Sequence, residues 1–130
     1  MFEPLLLRND PLPRTLVVIR LGSTTLSDEK LAQQCLRTHA RWGLHGFSVF
    51  EVPDGSYERL AKVAPIVTVR PKLFEANAGE VLDAGFSLFA TQDYPHWTVV
   101  CPQPTPEQFA KVRAVFQGPV PNPAWSGRLQ

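Results

Sequence analysis

The sequence predicts a single α+β domain with a mixed β-sheet of about five strands and about four helices. Its 130 residues fit one domain of ordinary size. In the first half, apolar runs alternate with helical stripes, which is an α/β-like order and favours a partly parallel sheet. In the second half, two apolar runs flank the short polar turn QDYP, which predicts a β-hairpin, and a helix follows it.

Five short segments rich in β-branched and aromatic residues are predicted as strands. They are TLVVIRL (15–21), FSVFEV (47–52), IVTVR (66–70), FSLFAT (86–91) and HWTVVC (96–101).

Four segments carry helix start and stop signals. The clearest begins at the N-cap Ser27, has acidic residues in its first turn and ends at Gly43. The others are PDGSYERLAKVA (53–64), NAGEVLDAG (77–85) and TPEQFAKVRAVFQG (105–118).

Proline-containing segments flank this predicted core. Residues 1–14 form an N-terminal arm whose apolar patch Leu5–Leu7 is available to pack on the body or on a partner. Residues 119–130 form a proline-rich tail, and we expect Trp125 to pin it to the body.

Composition excludes several functional classes. Thirteen basic and twelve acidic residues give a net charge of +1, which argues against strong binding of duplex DNA through phosphate neutralisation. Nine of the thirteen basic residues are arginine, whose forked donors suit phosphate or carboxylate.

The chain has two cysteines, Cys35 and Cys101, and the sequence leaves open whether they are paired. With no signal peptide, membrane span or metal-ligand spacing, we expect a cytoplasmic protein with no metal and no cofactor.

The first candidate site is the loop RLGSTTLS (20–27), between a strand end and a helix N-terminus. Arg20 and the hydroxyls of Ser23, Thr24 and Thr25 suit a phosphate or carboxylate, as do free helix N–H groups. Arg70, at the end of another predicted strand, joins this anion site if the two strands are parallel and close. A plain polar loop is the alternative.

The second candidate is THARWGLHG (38–46). His39 lies on the apolar stripe of the helix, whereas His45 follows Gly43, so the two histidines do not share a helix face. Arg37 and Arg41 lie one turn apart beside Trp42. They either stabilise the helix C-terminus or clamp an anion whose base stacks on the indole.

The third candidate is TQDYPHW (91–97). Asp93, Tyr94 and His96 supply a carboxylate, a phenol and an imidazole, which is enough for proton transfer. The same residues also suit an ordinary turn.

These sites predict a small effector that acts on RNA or nucleotide phosphate, of a size and composition seen among toxins of toxin–antitoxin pairs. His96 would move the proton, supported by Tyr94 or Asp93, and Arg20 and Arg70 would hold phosphate. The alternative is a non-catalytic interaction module that docks an antitoxin-like or other protein partner through Leu5–Leu7 and Trp125. A small-molecule-binding domain that uses residues 20–27 is a third possibility. The enzyme hypothesis requires Arg20, Arg70 and His96 to meet in one cleft.

Overall fold

The computed structural model describes residues 13–22, 27–91 and 94–126. Within these ranges the chain forms one α+β domain, as predicted, with a six-stranded sheet and four α-helices. The strands are β1 (Val17–Leu21), β2 (Gly46–Glu51), β3 (Lys72–Asn77), β4 (Ser87–Ala90), β5 (His96–Val100) and β6 (Gln117–Pro121). The helices are α1 (Asp28–Trp42), α2 (Tyr57–Val63), α3 (Ala78–Asp83) and α4 (Pro106–Val115), with 3₁₀ helices at Pro53–Gly55 and Pro65–Val69.

The strand order is β4-β5-β2-β1-β3-β6, and every neighbouring pair among the described strands is antiparallel. The partly parallel pairing expected from the strand–helix alternation is therefore not found. The reason lies in α1, which joins two antiparallel neighbours, β1 and β2, and so returns the chain to the end of the sheet that it left. The predicted hairpin is present as β4 and β5.

The strand predicted at 66–70 is wrong. Residues Pro65–Val69 form a 3₁₀ helix, and the strand comes after it, at Lys72–Asn77. Prolines at both ends of the β-branched run lack the N–H groups that a sheet ladder needs, and the Thr68 hydroxyl donates to the Pro65 carbonyl at 2.8 Å. Only Val67 of the run is buried, while Ile66 and Val69 are exposed.

The sheet separates two apolar cores. The larger core lies under α1, α3 and α4 and includes Leu31, Cys35, Phe47 and Val112. The smaller core lies on the opposite face, under α2 and the second 3₁₀ helix, and is centred on buried aliphatic residues. These are Ile19, Val52, Leu60, Ala64, Val67 and Leu73.

The predicted caps of α1 are confirmed. The Ser27 side chain accepts a hydrogen bond from the Lys30 N–H, and Gly43 ends the helix in the left-handed region, with φ of 80°. The sequence signals thus fix the length of the helix that carries most of the candidate site.

The first residues of the predicted tail belong to the body, because Gln117–Pro121 pair with β3 as strand β6. Asn122 then ties the chain to the second 3₁₀ helix, since its amide donates to the Val67 and Arg70 carbonyls at 2.8 Å. Trp125 is half-buried, in agreement with the expectation that it is pinned to the body. Leu5–Leu7 of the predicted arm lie outside the described residues.

No helix in the described ranges is both long and apolar enough to cross a membrane.

Candidate anion-binding site

The main candidate site is a cavity of about 420 Å³ between α1 and the diverging ends of β1 and β2, called the arginine cavity below. The register between these strands comprises Val18–Glu51 and Ile19–Phe50. Beyond Ile19, β1 continues beside β3, while the first residues of β2 pair with β5. The cavity is lined by Arg20, Leu21, Gln34, Arg37, Thr38, Arg41, Trp42, Phe47, Ser48 and Phe50.

Arg20 is the buried arginine of this cavity and is only 4% exposed. Its Nη2 donates to Gln34 Oε1 at 2.6 Å, and its guanidinium lies 4.5 Å from the centre of the Phe47 ring. Nε and Nη1 are buried and have no hydrogen-bond partner among the described residues. The side chain therefore carries three N–H hydrogens that have no acceptor among the described residues.

Burial of this guanidinium has an electrostatic consequence. It lowers the pKa of Arg20 from its ordinary value to about 10, and the nearby Cys35 partly opposes the shift. Because this pKa stays above neutral pH, the protein holds a desolvated cation in its interior.

The helix side of the cavity is built from one polar stripe of α1. Gln34, Arg37, Thr38 and Arg41 follow the i, i+3, i+4, i+7 spacing, which places them on one helix face. The buried Leu31 and Cys35 anchor the neighbouring face in the larger core. Packing of the apolar stripe thus presents the polar stripe to the cavity.

Trp42 closes the cavity near the C-terminus of α1. The Arg41 guanidinium lies 4.9 Å from the centre of its ring, within the range of a cation–π contact. On another side, the His96 ring packs edge-on against the indole at 5.8 Å. The indole therefore holds Arg41 in place, a role that differs from the open stacking platform predicted from the sequence.

His96 does not line the arginine cavity. It pairs in register with Phe50 and packs edge-on against the rings of Phe50 and Trp42, which separate it from Arg20 as lining residues of the cavity. Its side chain is buried, with Nδ1 2.9 Å from the Thr91 hydroxyl, and that hydroxyl lies 2.8 Å from the Thr98 hydroxyl. These contacts hold the imidazole as a support for Trp42.

The remaining predicted site residues lie elsewhere. Tyr94 is 43% exposed and lines a separate cavity with Glu51 and Arg59, near the other end of β2. Arg70 is exposed and does not line the arginine cavity. Ser23, Thr24, Thr25 and Asp93 lie outside the described residues. Of the three side chains expected to meet in one cleft, Arg20 alone lines this cavity.

The structure instead joins two candidates that the sequence treated separately, Arg20 and the Arg37–Arg41–Trp42 group. Sequence reasoning missed Gln34 and Thr38 as lining residues, although their helical spacing relative to the two arginines was a usable signal.

His39 and His45 also come together, which their positions on either side of Gly43 did not suggest. Their rings stack with centroids 4.4 Å apart and an interplanar angle of 13°. The left-handed Gly43 reverses the chain direction and brings the second ring over the first. Among the described residues, no group of three or more metal-ligating side chains is close enough to hold a metal ion.

Cys35 and Cys101 are both buried free thiols. A hydrogen bond from the Cys101 thiol lowers the pKa of Cys35 and raises the pKa of Cys101. Cys101 also lies 3.0 Å from Gln108 Oε1. The pair packs behind Arg20 as part of the larger core.

Comparison of the chain with protein-family models, curated proteins and solved structures finds no match.

Proposed function

We propose that this protein binds the phosphate of a nucleotide or of RNA in the arginine cavity. The observation that carries the proposal is Arg20, a buried cation that lines the cavity and whose Nε and Nη1 lack partners among the described residues. A buried donor left unsatisfied costs about 1–3 kcal/mol, and more when the group is charged. An anionic oxygen in the cavity would satisfy these donors and offset the cost of burying the charge.

The composition of the cavity supports the same ligand. Its lining includes three arginines and no aspartate or glutamate. Phe50 and the part of Trp42 not covered by Arg41 add aromatic surface, and cavities of this size commonly hold small organic ligands. An anion attached to a flat ring, as in a nucleotide, matches both parts of this lining.

The binding test compares the wild type with Arg20→Met by isothermal titration calorimetry with adenosine 5′-monophosphate as the probe. Loss of hydrogen bonds to a charged group predicts roughly tenfold to hundredfold weaker binding by the variant. Arg59→Met is the matched control, because Arg59 is exposed and contacts Asp54 away from the cavity. Absence of binding to the wild type, or equal affinity of wild type and Arg20→Met, would contradict the proposal.

An effector role in the cytoplasm, including that of a toxin in a toxin–antitoxin pair, is proposed on the basis of this binding site. Its test is expression in a bacterial host under an inducible promoter. Growth should slow with the wild type and recover with Arg20→Met at the same protein level. Equal growth of the two strains would contradict the effector role.

The interaction module is the second candidate, and exposed apolar residues favour it. Ile66 and Val69 are 57% and 56% exposed on the 3₁₀ helix to which Asn122 binds. If this surface and the N-terminal arm dock a partner protein, two changes should each abolish capture of that partner. The first replaces Ile66 and Val69 with serine, and the second removes residues 1–12. Capture that survives both changes would count against the module.

A further inference from the structure

We infer that the arginine cavity selects a terminal phosphomonoester over an internal phosphodiester. This inference rests on the proposed phosphate binding and narrows it to one chemical class. Free nucleoside monophosphates and the phosphorylated ends of RNA both present this group.

The first argument is charge. Three guanidinium groups line the cavity, from Arg20 on β1 and from Arg37 and Arg41 on α1, and β2 contributes no charged side chain to the lining. A phosphomonoester carries a charge of about −1.5 to −2 at neutral pH, whereas a diester carries a single negative charge. The monoester therefore balances more of the positive charge, and screening by water is weakest at the buried Arg20.

The second argument is the number of donors. Arg20 offers the hydrogens on Nε and Nη1, and Arg37 and Arg41 add further donors from the exposed side of the cavity. A monoester has three terminal oxygens that act as strong acceptors, one more than a diester. The extra oxygen gives the buried guanidinium an acceptor while the others face α1.

The third argument is access. Arg20 is 4% exposed, whereas Arg37 and Arg41 are exposed. A group at the end of a molecule can reach Arg20 with its substituent leading outward. An internal diester would need to bring both of its flanking segments close to the buried guanidinium.

The experiment compares adenosine 5′-monophosphate with 3′,5′-cyclic adenosine monophosphate, which has the same base and sugar but a diester. At about pH 7.5 the monoester should bind roughly tenfold to hundredfold more tightly, and adenosine should bind more weakly still. Because the second pKa of a phosphomonoester is about 6, its affinity should fall below that value and approach the affinity of the singly charged diester. The affinity of the cyclic diester should stay nearly flat across the same range.

The diester also controls for titration of the protein. His96 packs against Trp42, and His39 near the end of α1 stacks on His45, so any change at these side chains would act on the binding of both ligands. A pH dependence that is specific to the monoester therefore reports the ligand. Arg20→Gln should remove the preference for the monoester, while Arg59→Gln should keep it.

The source of the phosphomonoester is tested with two RNA oligonucleotides of one sequence, one with a 5′-phosphate and one with a 5′-hydroxyl. Their affinities are compared with each other and with that of adenosine 5′-monophosphate. Tighter binding of the phosphorylated oligonucleotide than of the free nucleotide identifies an RNA end, and the reverse order identifies a nucleotide. Equal affinities for monoester and diester, both lost in Arg20→Gln, would overturn this inference and leave phosphate binding intact. No binding of any phosphorylated probe would overturn both.

Discussion

Arg20 places a positive charge in the interior of the protein, where few groups compensate it. Gln34 accepts one hydrogen bond and Phe47 provides a cation–π contact, but neither carries a negative charge. The cost is visible as the lowered pKa of the guanidinium. A residue retained at a cost to stability is characteristic of a binding site.

We expect Arg20→Met to stabilise the free protein by about 1–2 kcal/mol at neutral pH, because the substitution removes a desolvated charge and unsatisfied donors but keeps an apolar stem. Urea denaturation monitored by circular dichroism measures this difference. Arg37→Met, at an exposed position, should change stability by less than about 0.5 kcal/mol. A less stable Arg20→Met would show that the guanidinium is compensated in the free protein.

The lowered pKa of Arg20 also determines the direction in which this residue changes stability with pH. Between about pH 10 and pH 12.5 the unfolded chain keeps the Arg20 proton that the folded protein has lost, so this residue makes stability rise with pH there. The advantage of Arg20→Met should therefore shrink above pH 10.

Tyr57 titrates with the opposite effect. Its hydroxyl donates to Glu75 Oε2 at 2.8 Å, and burial together with that carboxylate raises the pKa of the phenol. The resulting stabilisation is present below the unfolded pKa of 10 and is lost as pH rises through the higher folded value. We expect Tyr57→Phe to cost about 1 kcal/mol at neutral pH, with a gap to the wild type that narrows above pH 10. Parallel urea titrations of the two proteins at neutral pH and above pH 10 test this. The same difference in the free energy of unfolding at both pH values would contradict it.

At the scale of elements, the approach of β2 to β5 depends on Gly46. A Cβ at this position would lie 2.2 Å from the Val99 carbonyl oxygen, which is backbone and cannot move aside cheaply. Both strands support the cavity, since β2 carries Phe47 and β5 carries the His96 ring that packs on Trp42.

We expect Gly46→Ala to destabilise the protein by at least about 3 kcal/mol through this clash. The control is Gly55→Ala, where no atom lies within 4 Å and the φ of +71° alone should cost about 1–2 kcal/mol. Thermal denaturation of both variants gives the comparison. Similar losses in the two would mean that β5 shifts to accept the methyl group.

The elements that could be predicted from sequence were those with local signals. Ser27, Asn77 and Thr105 cap helices as their side chains indicate, and the turn between the apolar runs 86–91 and 96–101 joins a hairpin. The prediction of a strand at 66–70 was wrong because a β-branched run has the same composition in a strand and in a 3₁₀ helix. The prolines that flank it decided between the two.

At the scale of the whole molecule, pairing direction was beyond the reach of local signals, because the strand–helix order suits both parallel and antiparallel neighbours. The set of residues that meet in the site was also beyond the reach of local signals. Arg20 was identified from its type and position, but its meeting with Arg37 and Arg41 depends on how α1 crosses the diverging strands. His96 was placed in the same cleft because sequence cannot show which face of the sheet a strand end presents.

Phosphate binding should stabilise the whole fold, since residues from β1, α1 and β2 all line the cavity. A monophosphate at one hundred times its dissociation constant would add about 2.7 kcal/mol, which corresponds to a rise in Tm of about 10 °C for a domain of this size. At the same ligand concentration, differential scanning fluorimetry should show this rise for the wild type and a smaller rise of about 2–5 °C for Arg20→Met, whose binding is tenfold to hundredfold weaker. A rise of the same size in both proteins would indicate binding elsewhere.

β1 supplies the buried arginine of the cavity and α1 supplies the exposed ones, so substitutions on α1 alone could change which ligand is preferred. Arg20 lies in the interior, whereas Arg37 and Arg41 lie on the exposed side of a helix whose anchoring residues point the other way. A library that randomises positions 37, 38 and 41 would therefore alter the outer half of the recognition surface and keep Gln34, the hydrogen-bond acceptor of Arg20. From one such scaffold, selection could recover binders of different phosphorylated compounds that all retain the same buried guanidinium.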